Sequence, residues 1–146
     1  MNQVAIDKIL REDSYTKNCF LGVFARDELP KEVPYPACFV FNTDKRSRPG
    51  EHWLALHYDT YGNSYFFDSY GNPPSKFGLD KYLEKTSKKV SFNEEEIQGP
   101  SFLCGFYCVS FLHFKCSDRQ EEFFKSLLND SNKNDKSMLN LIKSFI

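Results

Sequence analysis

The sequence lacks several features that would assign it to common classes of protein. It has no apolar run of about 18 residues, so no transmembrane helix and no membrane partner are expected. Its first residues, Met1 to Lys8, carry no apolar signal-peptide core, which predicts a chain that is not secreted. Its formal net charge is −1, which disfavours the usual basic kind of nucleic-acid-binding domain.

Bulky apolar residues and thiols are present instead. The 146 residues are 40% hydrophobic and 16% aromatic, which is enough to fill one core and predicts a single domain over residues 1–146. The five cysteines are an odd number, which indicates free thiols in a reducing, intracellular compartment. Lysines recur between residues 76 and 89, and we interpret them as a solvated face, with a local basic patch as the alternative.

The hydrophobic pattern predicts strands in the middle of the chain. Short apolar or aromatic runs predict strands at 20–24, 37–41, 53–58, 64–68 and 89–92. Three of these runs follow one another closely with turns between them, which indicates an antiparallel meander over residues 37–68.

Helices are predicted on either side of these strands. The expected helices cover residues 2–12, 79–85, 104–115, 119–129 and a last segment that begins at Asp135 or Ser137. Asp118 is expected to cap the helix at 119–129, which would turn Phe123, Phe124, Leu127 and Leu128 inward. The segment 104–115 is apolar all round, so it should be buried in the domain centre. The arrangement predicts the α+β fold class.

Cys104 is the candidate nucleophile. A polar loop with Gly and Pro ends at Cys104-Gly105, where the apolar segment begins, so the thiol should lie at the first turn of a helix. Free backbone N–H groups and the helix dipole favour the thiolate there, and the thiolate is the reactive form. Gly105 would let a substrate backbone approach closely. The alternative is an inert core cysteine, which is how we interpret Cys108.

Histidine and carboxylate partners lie upstream. His52 enters a strand from the loop at 48–51, whereas His57 is in mid-strand, and a spacing of five puts them on opposite sides, so only one can face a common site. His113 and His57 are open to a purely structural interpretation. Asp68 ends a strand and would orient His52, or else cap a turn. Gln98 precedes Cys104 by six residues and could donate to an oxyanion.

A zinc set of Cys104, Cys108, His113 and Cys116 is the metal alternative. Residues 104 and 113 are nine apart, which is about 13 Å along one helix, too far for one tetrahedral ion. No metal ligands are therefore predicted.

The order His52-Trp53, Asp68, Gln98-Gly-Pro and Cys104-Gly resembles the adenovirus-type (adenain) cysteine endopeptidases and the related SUMO-specific (Ulp-like) proteases. The resemblance implies that Cys104 is the nucleophile, His52 its partner, Asp68 the third member of a triad and Gln98 the oxyanion donor. The implied fold has a central mixed or antiparallel sheet packed against a buried helix that carries the cysteine, with flanking helices.

The implied activity is cleavage of viral structural precursor proteins at small-residue, Gly-Gly-like sites, by a monomer at the virus assembly site in the host nucleus or cytoplasm and in the virion. Three alternatives remain: a deconjugase of ubiquitin-like proteins such as SUMO, a non-catalytic capsid-associated module, and an acyltransferase that uses the same Cys-His pair.

The sequence departs from the adenoviral pattern in ways that bear on activation. Adenoviral enzymes commonly use Glu where this chain has Asp68, whereas SUMO proteases use Asp. No cysteine lies between Asp68 and Gln98 to tether an activating peptide by a disulfide, and the net charge disfavours DNA as an activator. No cofactor is required by the sequence, and an activating peptide held in another way stays open.

Overall fold

The computed structural model describes residues 1–45, 52–127 and 129–145. The helices are α1 (Gln3–Glu12), α2 (Asp80–Thr86), α3 (Cys104–Cys116), α4 (Gln120–Lys125) and α5 (Ser131–Ile142). The strands are β1 (Phe20–Phe24), β2 (Ala37–Asn42), β3 (Trp53–Tyr58), β4 (Asn63–Phe67) and β5 (Lys89–Phe92). The predicted α+β class is confirmed. The predicted loop at 48–51 and the predicted inward position of Leu128 lie outside the described residues.

The strands form one mixed sheet in the order β1-β2-β3-β4-β5. The central pairs β2–β3 and β3–β4 are antiparallel, as the meander predicts, and the outer pairs β1–β2 and β4–β5 are parallel. Strand β5 can run parallel to β4 because the intervening α2 segment carries the chain back along the sheet.

Both faces of the sheet are covered. One face packs Val40, Ala55 and Phe67 against α3, where the Phe67 and Phe111 rings stack with centroids 4.5 Å apart. The other face packs apolar side chains of β2, β3 and β4 against Leu79 and Leu83. Because central strands are buried on both sides, β2 and β3 appear in the sequence as continuous apolar runs rather than as alternating patterns.

Helix α3 is the centre of the first layer. Most of its residues are buried, which confirms the prediction from its apolar sequence. It contacts β3, α1, α4 and α5, so its first turn is held in place from several sides. Within the described part of the chain, no helix is both long and apolar enough to cross a bilayer.

Two predicted helix starts are wrong. Asp118 does not cap α4; it adopts a left-handed backbone conformation with φ of 59°, and α4 begins only at Gln120. The helix also ends at Lys125, four residues before the predicted end at 129. Helix α5 begins at Ser131, because the Asp130 side chain accepts a hydrogen bond from the Lys133 N–H at 3.2 Å and so provides the N-cap.

Candidate active site

Cys104 is the first residue of α3, as the sequence predicts. Its exposed fraction is only 8%, and its Sγ accepts a hydrogen bond from the Trp53 backbone N–H at 3.5 Å. Burial raises the pKa of the Cys104 thiol, but the side-chain hydrogen bond with His52 and the N–H groups of Trp53 and Gly105 outweigh it and lower that pKa. The thiol is therefore disposed to ionise.

His52 lies directly before β3, beside Cys104 and Asp68. Its Nε2 is 2.6 Å from Oδ1 of Asp68, so Nδ1 is the ring nitrogen left for the thiol. Burial lowers the pKa of His52, but hydrogen bonds to Asp68 and Cys104 and the charges of both raise it to about 9. At neutral pH these shifts favour an imidazolium–thiolate pair. The Tyr70 ring stacks on the imidazole with centroids 5.0 Å apart.

Asp68 follows the last residue of β4 and is fully buried. Oδ1 accepts the Tyr70 N–H at 3.0 Å, and Oδ2 accepts the N–H of Asn72 at 3.2 Å and its side-chain amide at 2.9 Å. Burial raises the pKa of Asp68, but the hydrogen bonds from His52, Tyr70 and Asn72 lower it overall, so the carboxylate stays charged.

A second asparagine fixes the Asp68 backbone. The Asn93 amide donates to the Asp68 carbonyl oxygen at 2.5 Å, and its Oδ1 accepts the Asp68 N–H at 3.2 Å. The backbone and the carboxylate of Asp68 are thus both held in place, which leaves the orientation of His52 well determined.

Gln98 is buried at 1% exposure, and its amide orientation follows from its partners. Nε2 donates to the Ser101 carbonyl oxygen at 2.9 Å, and Oε1 accepts the Ser69 hydroxyl at 2.5 Å. Since a carbonyl oxygen can only accept, the nitrogen must face Ser101. Nε2 also lies 3.4 Å from the Ser101 hydroxyl oxygen, a long contact at the cleft that both residues line. An amide nitrogen has two N–H groups, so a substrate oxyanion would compete with this hydroxyl for the second one.

The four predicted residues meet at one cleft of about 410 Å³, which contains His52, Gln98 and Cys104 in its lining, with Asp68 buried behind His52. The other lining residues are Met1, Trp53, Tyr70, Ser101 and Phe102. Phe102 is 95% exposed, which presents a large apolar surface beside the thiol.

Gly105 has a packing role in the fold. A Cβ at this position would lie 3.2 Å from Trp53 Cδ1 and 3.3 Å from Ile6 Cδ1. The missing side chain therefore permits close packing of α3 against Trp53 and α1, and the expected approach of a substrate backbone to Gly105 stays a prediction.

The remaining histidines and Cys108 are not part of this cleft. Burial, with the charge of Lys115, lowers the pKa of His57 to about 4. His113 Nδ1 contacts Asp13 at 2.8 Å. Burial raises the pKa of the Cys108 thiol well above its usual value, in agreement with a packing role. Cys104 and Cys116 lie at opposite ends of α3, so the four residues that the sequence offered as a zinc site do not come together.

The sequence did not single out the residues that support the triad. Asn72 and Tyr70 lie in the turn after Asp68, where an Asp–Asn turn pattern is a usable signal. Ser69 and Asn93 carry no such signal in the sequence. Asn93 is 25 residues from Asp68, and Ser69 is an ordinary serine that follows Asp68.

Comparison with known proteins gives relatives among viral proteases. The chain is 33% identical over 92 residues to the protease of Bovine adenovirus C serotype 10, which covers 53% of this chain and 47% of that protease. No protein-family model matches the chain. It spans about half the length of the adenoviral proteases that it matches.

Solved structures share the fold. An effector protein of Chlamydia trachomatis, solved bound to ubiquitin, superposes with a TM-score of 0.55 and 18% identity over 75% of this chain and 60% of that chain. The protease of ASFV superposes with a TM-score of 0.50 and 21% identity over 69% of this chain and 41% of that chain. The adenoviral relatives confirm the resemblance, and these structures confirm the predicted fold.

Proposed function

We propose that this chain, a relative of the adenovirus-type cysteine endopeptidases, hydrolyses peptide bonds after small residues and so cleaves structural precursor proteins of a virus or virus-like element. The observation that carries the proposal is the position of the Cys104 thiol at the start of α3, beside an imidazole whose Nε2 lies 2.6 Å from a buried carboxylate. A thiol, a base and an orienting group within reach of one another are the parts of a cysteine-nucleophile hydrolase.

In the resting state that we propose, His52 holds the proton and Cys104 is a thiolate. The raised pKa of His52 and the lowered pKa of Cys104 both support this state. Asp68 contributes by stabilising the imidazolium and by holding the ring so that Nδ1 faces the sulfur.

Acylation then begins when the Cys104 thiolate attacks the scissile carbonyl carbon, which forms a C–S bond and moves the carbonyl electron pair onto oxygen. The proposed donors to this oxyanion are the backbone N–H of Cys104 and the second Gln98 N–H, which would exchange its long contact with the Ser101 hydroxyl for the oxyanion. Collapse of the intermediate breaks the C–N bond, and His52 gives its proton to the leaving amine. The product is a thioester on Cys104.

Deacylation reverses the roles. Neutral His52 takes a proton from water, the resulting hydroxide attacks the thioester, and the C–S bond breaks to return the thiolate and the carboxylic acid product. No resident cofactor or metal is needed for these steps.

The substrate has two candidate classes. The viral relatives favour precursor proteins, and the aromatic side chains of Trp53, Tyr70 and Phe102 in the cleft would pack against a main chain without large side chains. The Chlamydia trachomatis structure, which holds ubiquitin, favours a Gly-Gly tail of a ubiquitin-like protein as the second candidate.

The proposal extends to partners and location. We expect a monomer that acts on polypeptides inside the infected cell, at the virus assembly site and in the virion. Residues 69–97 contain no cysteine, so any activating peptide would bind without a disulfide in that segment. DNA activation would have to rely on the lysines between residues 76 and 89.

The test is turnover of two substrates by the purified full chain. One is a quenched peptide with an internal Gly-Gly site, and the other is ubiquitin extended beyond its Gly-Gly terminus. Cys104→Ala should abolish product, whereas Cys108→Ala, a matched change one helical turn away, should keep it. Cleavage of the fusion alone would select the deconjugase. Undiminished cleavage by Cys104→Ala would contradict the proposal. The absence of turnover by the folded wild-type chain, with or without added peptide and DNA, would also contradict it, because that is the result expected of a non-catalytic module.

A further inference from the structure

Three thiols that the proposed reaction does not use converge at one place. Cys19 Sγ lies 3.5 Å from Cys38 Sγ and 3.6 Å from Cys116 Sγ, and all three sulfur atoms are within 4.8 Å of one another. All three are free cysteines; Cys38 is buried, and the other two are partly buried.

The fold holds these thiols together from three separate elements. Cys19 directly precedes β1, Cys38 is in β2, and Cys116 is the last residue of α3. The Cys38 N–H donates to the Cys19 carbonyl oxygen at 2.9 Å, which fixes two of the three backbones relative to each other. Cys104 is at the other end of α3, about 18 Å away along the helix axis, so this cluster is separate from the candidate active site.

The sulfur spacing fits a shared metal ion. A tetrahedral zinc–thiolate centre has Zn–S bonds of about 2.3 Å, which puts neighbouring sulfurs about 3.8 Å apart. The Cys19–Cys38 and Cys19–Cys116 sulfur separations of 3.5 and 3.6 Å are within a few tenths of an ångström of that spacing. A disulfide would require the sulfurs to approach to about 2.05 Å instead.

A fourth donor is adjacent. His57 in β3 is the direct partner of Cys38 in β2, so the two side chains leave the sheet on the same face. His57 Nδ1 is buried and has no hydrogen-bond partner, and His57 is 8% exposed. A buried polar atom without a partner is unusual in a native fold and calls for one. The His57 nitrogens lie outside the group of three sulfur atoms that are within 4.8 Å of one another. A change of the His57 side-chain torsions would bring one nitrogen to an ion held by the sulfurs and give the Cys₃His donor set of structural zinc sites.

We propose that Cys19, Cys38 and Cys116 bind one thiophilic divalent ion of the Zn²⁺ class, with His57 as the fourth ligand after a side-chain adjustment. On binding, each thiol releases its proton to solvent and forms a metal–sulfur bond, with no change of oxidation state. The C-terminal end of α3 adds a favourable partial negative charge. The ion would join β1, β2 and the far end of the helix that carries Cys104.

The positive charge of Lys115, next to Cys116 in the sequence, would disfavour the binding of a cation at this cluster. Its ammonium group hydrogen-bonds Gln120 and lies over the Tyr65 ring, 5.3 Å from the centroid, so it already has partners of its own.

Metal binding is tested on the full reduced chain with Cys104→Ala and Cys108→Ala, which leaves only the three proposed cysteine ligands. Co²⁺ serves as the spectroscopic probe and Zn²⁺ as the competitor. We expect thiolate-to-cobalt charge-transfer bands, the visible bands of tetrahedral Co²⁺, loss of both on adding Zn²⁺, and a native mass increased by one ion. Zn²⁺ should also raise the melting temperature.

Two further variants assign the ligands. Cys116→Ala removes one of the three thiolates, so it should weaken Co²⁺ binding and reduce the intensity of the charge-transfer bands. His57→Ala should weaken Zn²⁺ binding by about tenfold or more and alter the visible bands. If the double background variant does not fold, the native mass is measured on the wild-type chain after Cys104 is alkylated. Absence of a bound ion in folded, reduced protein, or an unchanged cobalt spectrum in Cys116→Ala, would overturn the proposal. A Cys19–Cys38 disulfide in a chain that binds no metal when reduced would overturn it as well.

Discussion

The Nε2 of His52 lies 2.6 Å from Oδ1 of Asp68, and that carboxylate is wholly buried. The second oxygen of the carboxylate is occupied by the backbone N–H and the side-chain amide of Asn72. Each oxygen of Asp68 therefore has its own set of donors, which fixes both the charge of the carboxylate and the orientation of the imidazole.

Replacing Asp68 by Asn should lower kcat by about 10²- to 10⁴-fold with little change in KM. The Asn amide nitrogen would face either His52 or the Asn72 donors. If the amide nitrogen faces His52, it donates to Nε2 and the proton of neutral imidazole must then sit on Nδ1. A protonated Nδ1 can no longer accept a proton from Cys104. Steady-state kinetics on a Gly-Gly peptide measure the effect.

Asp59→Asn is the matched control, because Asp59 caps a turn by accepting the Tyr61 and Asn63 N–H groups, away from the cleft. This control should keep its activity. An Asp68→Asn chain that retains wild-type kcat would show that Asp68 does not act through His52.

The pH profile of kcat/KM should be bell-shaped. Activity requires the Cys104 thiolate and protonated His52. As pH falls through the lowered pKa of Cys104 the thiolate is protonated, and as pH rises through about 9 the imidazolium loses its proton. The acid limb should thus lie below the ordinary thiol pKa of 9.0, and both limbs report the pair rather than one residue. A single rising limb centred near the ordinary thiol value would argue for an unpaired cysteine.

Gln98→Ala should reduce kcat by about 10²- to 10³-fold while KM changes little, since the lost N–H is used only in the transition state. Ser69→Ala removes the hydroxyl that holds Oε1 but leaves the amide in place, so it should have a smaller effect in the same direction. Equal losses in kcat and in substrate affinity would indicate that Gln98 shapes the cleft rather than binding the oxyanion.

Tyr70 should matter through its ring and not through its hydroxyl. Tyr70→Phe keeps the ring that stacks on His52 and should retain activity, whereas Tyr70→Ala should lose up to about tenfold in kcat, the range expected for one aromatic pair. The two variants are compared in the same peptide assay. A loss in Tyr70→Phe as large as that in Tyr70→Ala would assign the role to the hydroxyl.

Asn93→Ala should lower the free energy of unfolding by about 1–3 kcal/mol, because it leaves the buried N–H of Asp68 without a partner and leaves the Gly71 N–H as the remaining donor to the Asp68 carbonyl oxygen. Urea unfolding measures this change, and Asn140→Ala on the exposed face of α5 is the control that should remain near wild type. Equal stability of the two variants would mean that Asn93 is not needed to brace Asp68.

Local pattern accounts for much of the fold. The apolar runs predicted all five strands, and the all-apolar segment predicted α3 with Cys104 at its start. The start of α5 was missed because several residues between 130 and 137 are good N-caps, and only the structure selects Asp130.

The site was partly predictable from the sequence. Local pattern places His52, Asp68 and Cys104 at the ends of strands or helices, and the resemblance to the adenovirus-type proteases implied that they converge. Asn93 contacts Asp68 across 25 residues, and Cys19 contacts Cys116 across 97 residues. Such pairings depend on the sheet order and on the docking of α3, which no local pattern contains.

The most direct test of the imidazolium–thiolate pair is the rate at which a small alkylating agent modifies Cys104 as a function of pH, with the site identified by peptide mapping. We predict that folded wild-type protein is alkylated at Cys104 well below pH 9.0 and that His52→Ala shifts the reaction up towards the ordinary thiol range. Cys104 that reacts only near that ordinary value in folded wild-type protein, with no change in His52→Ala, would contradict it.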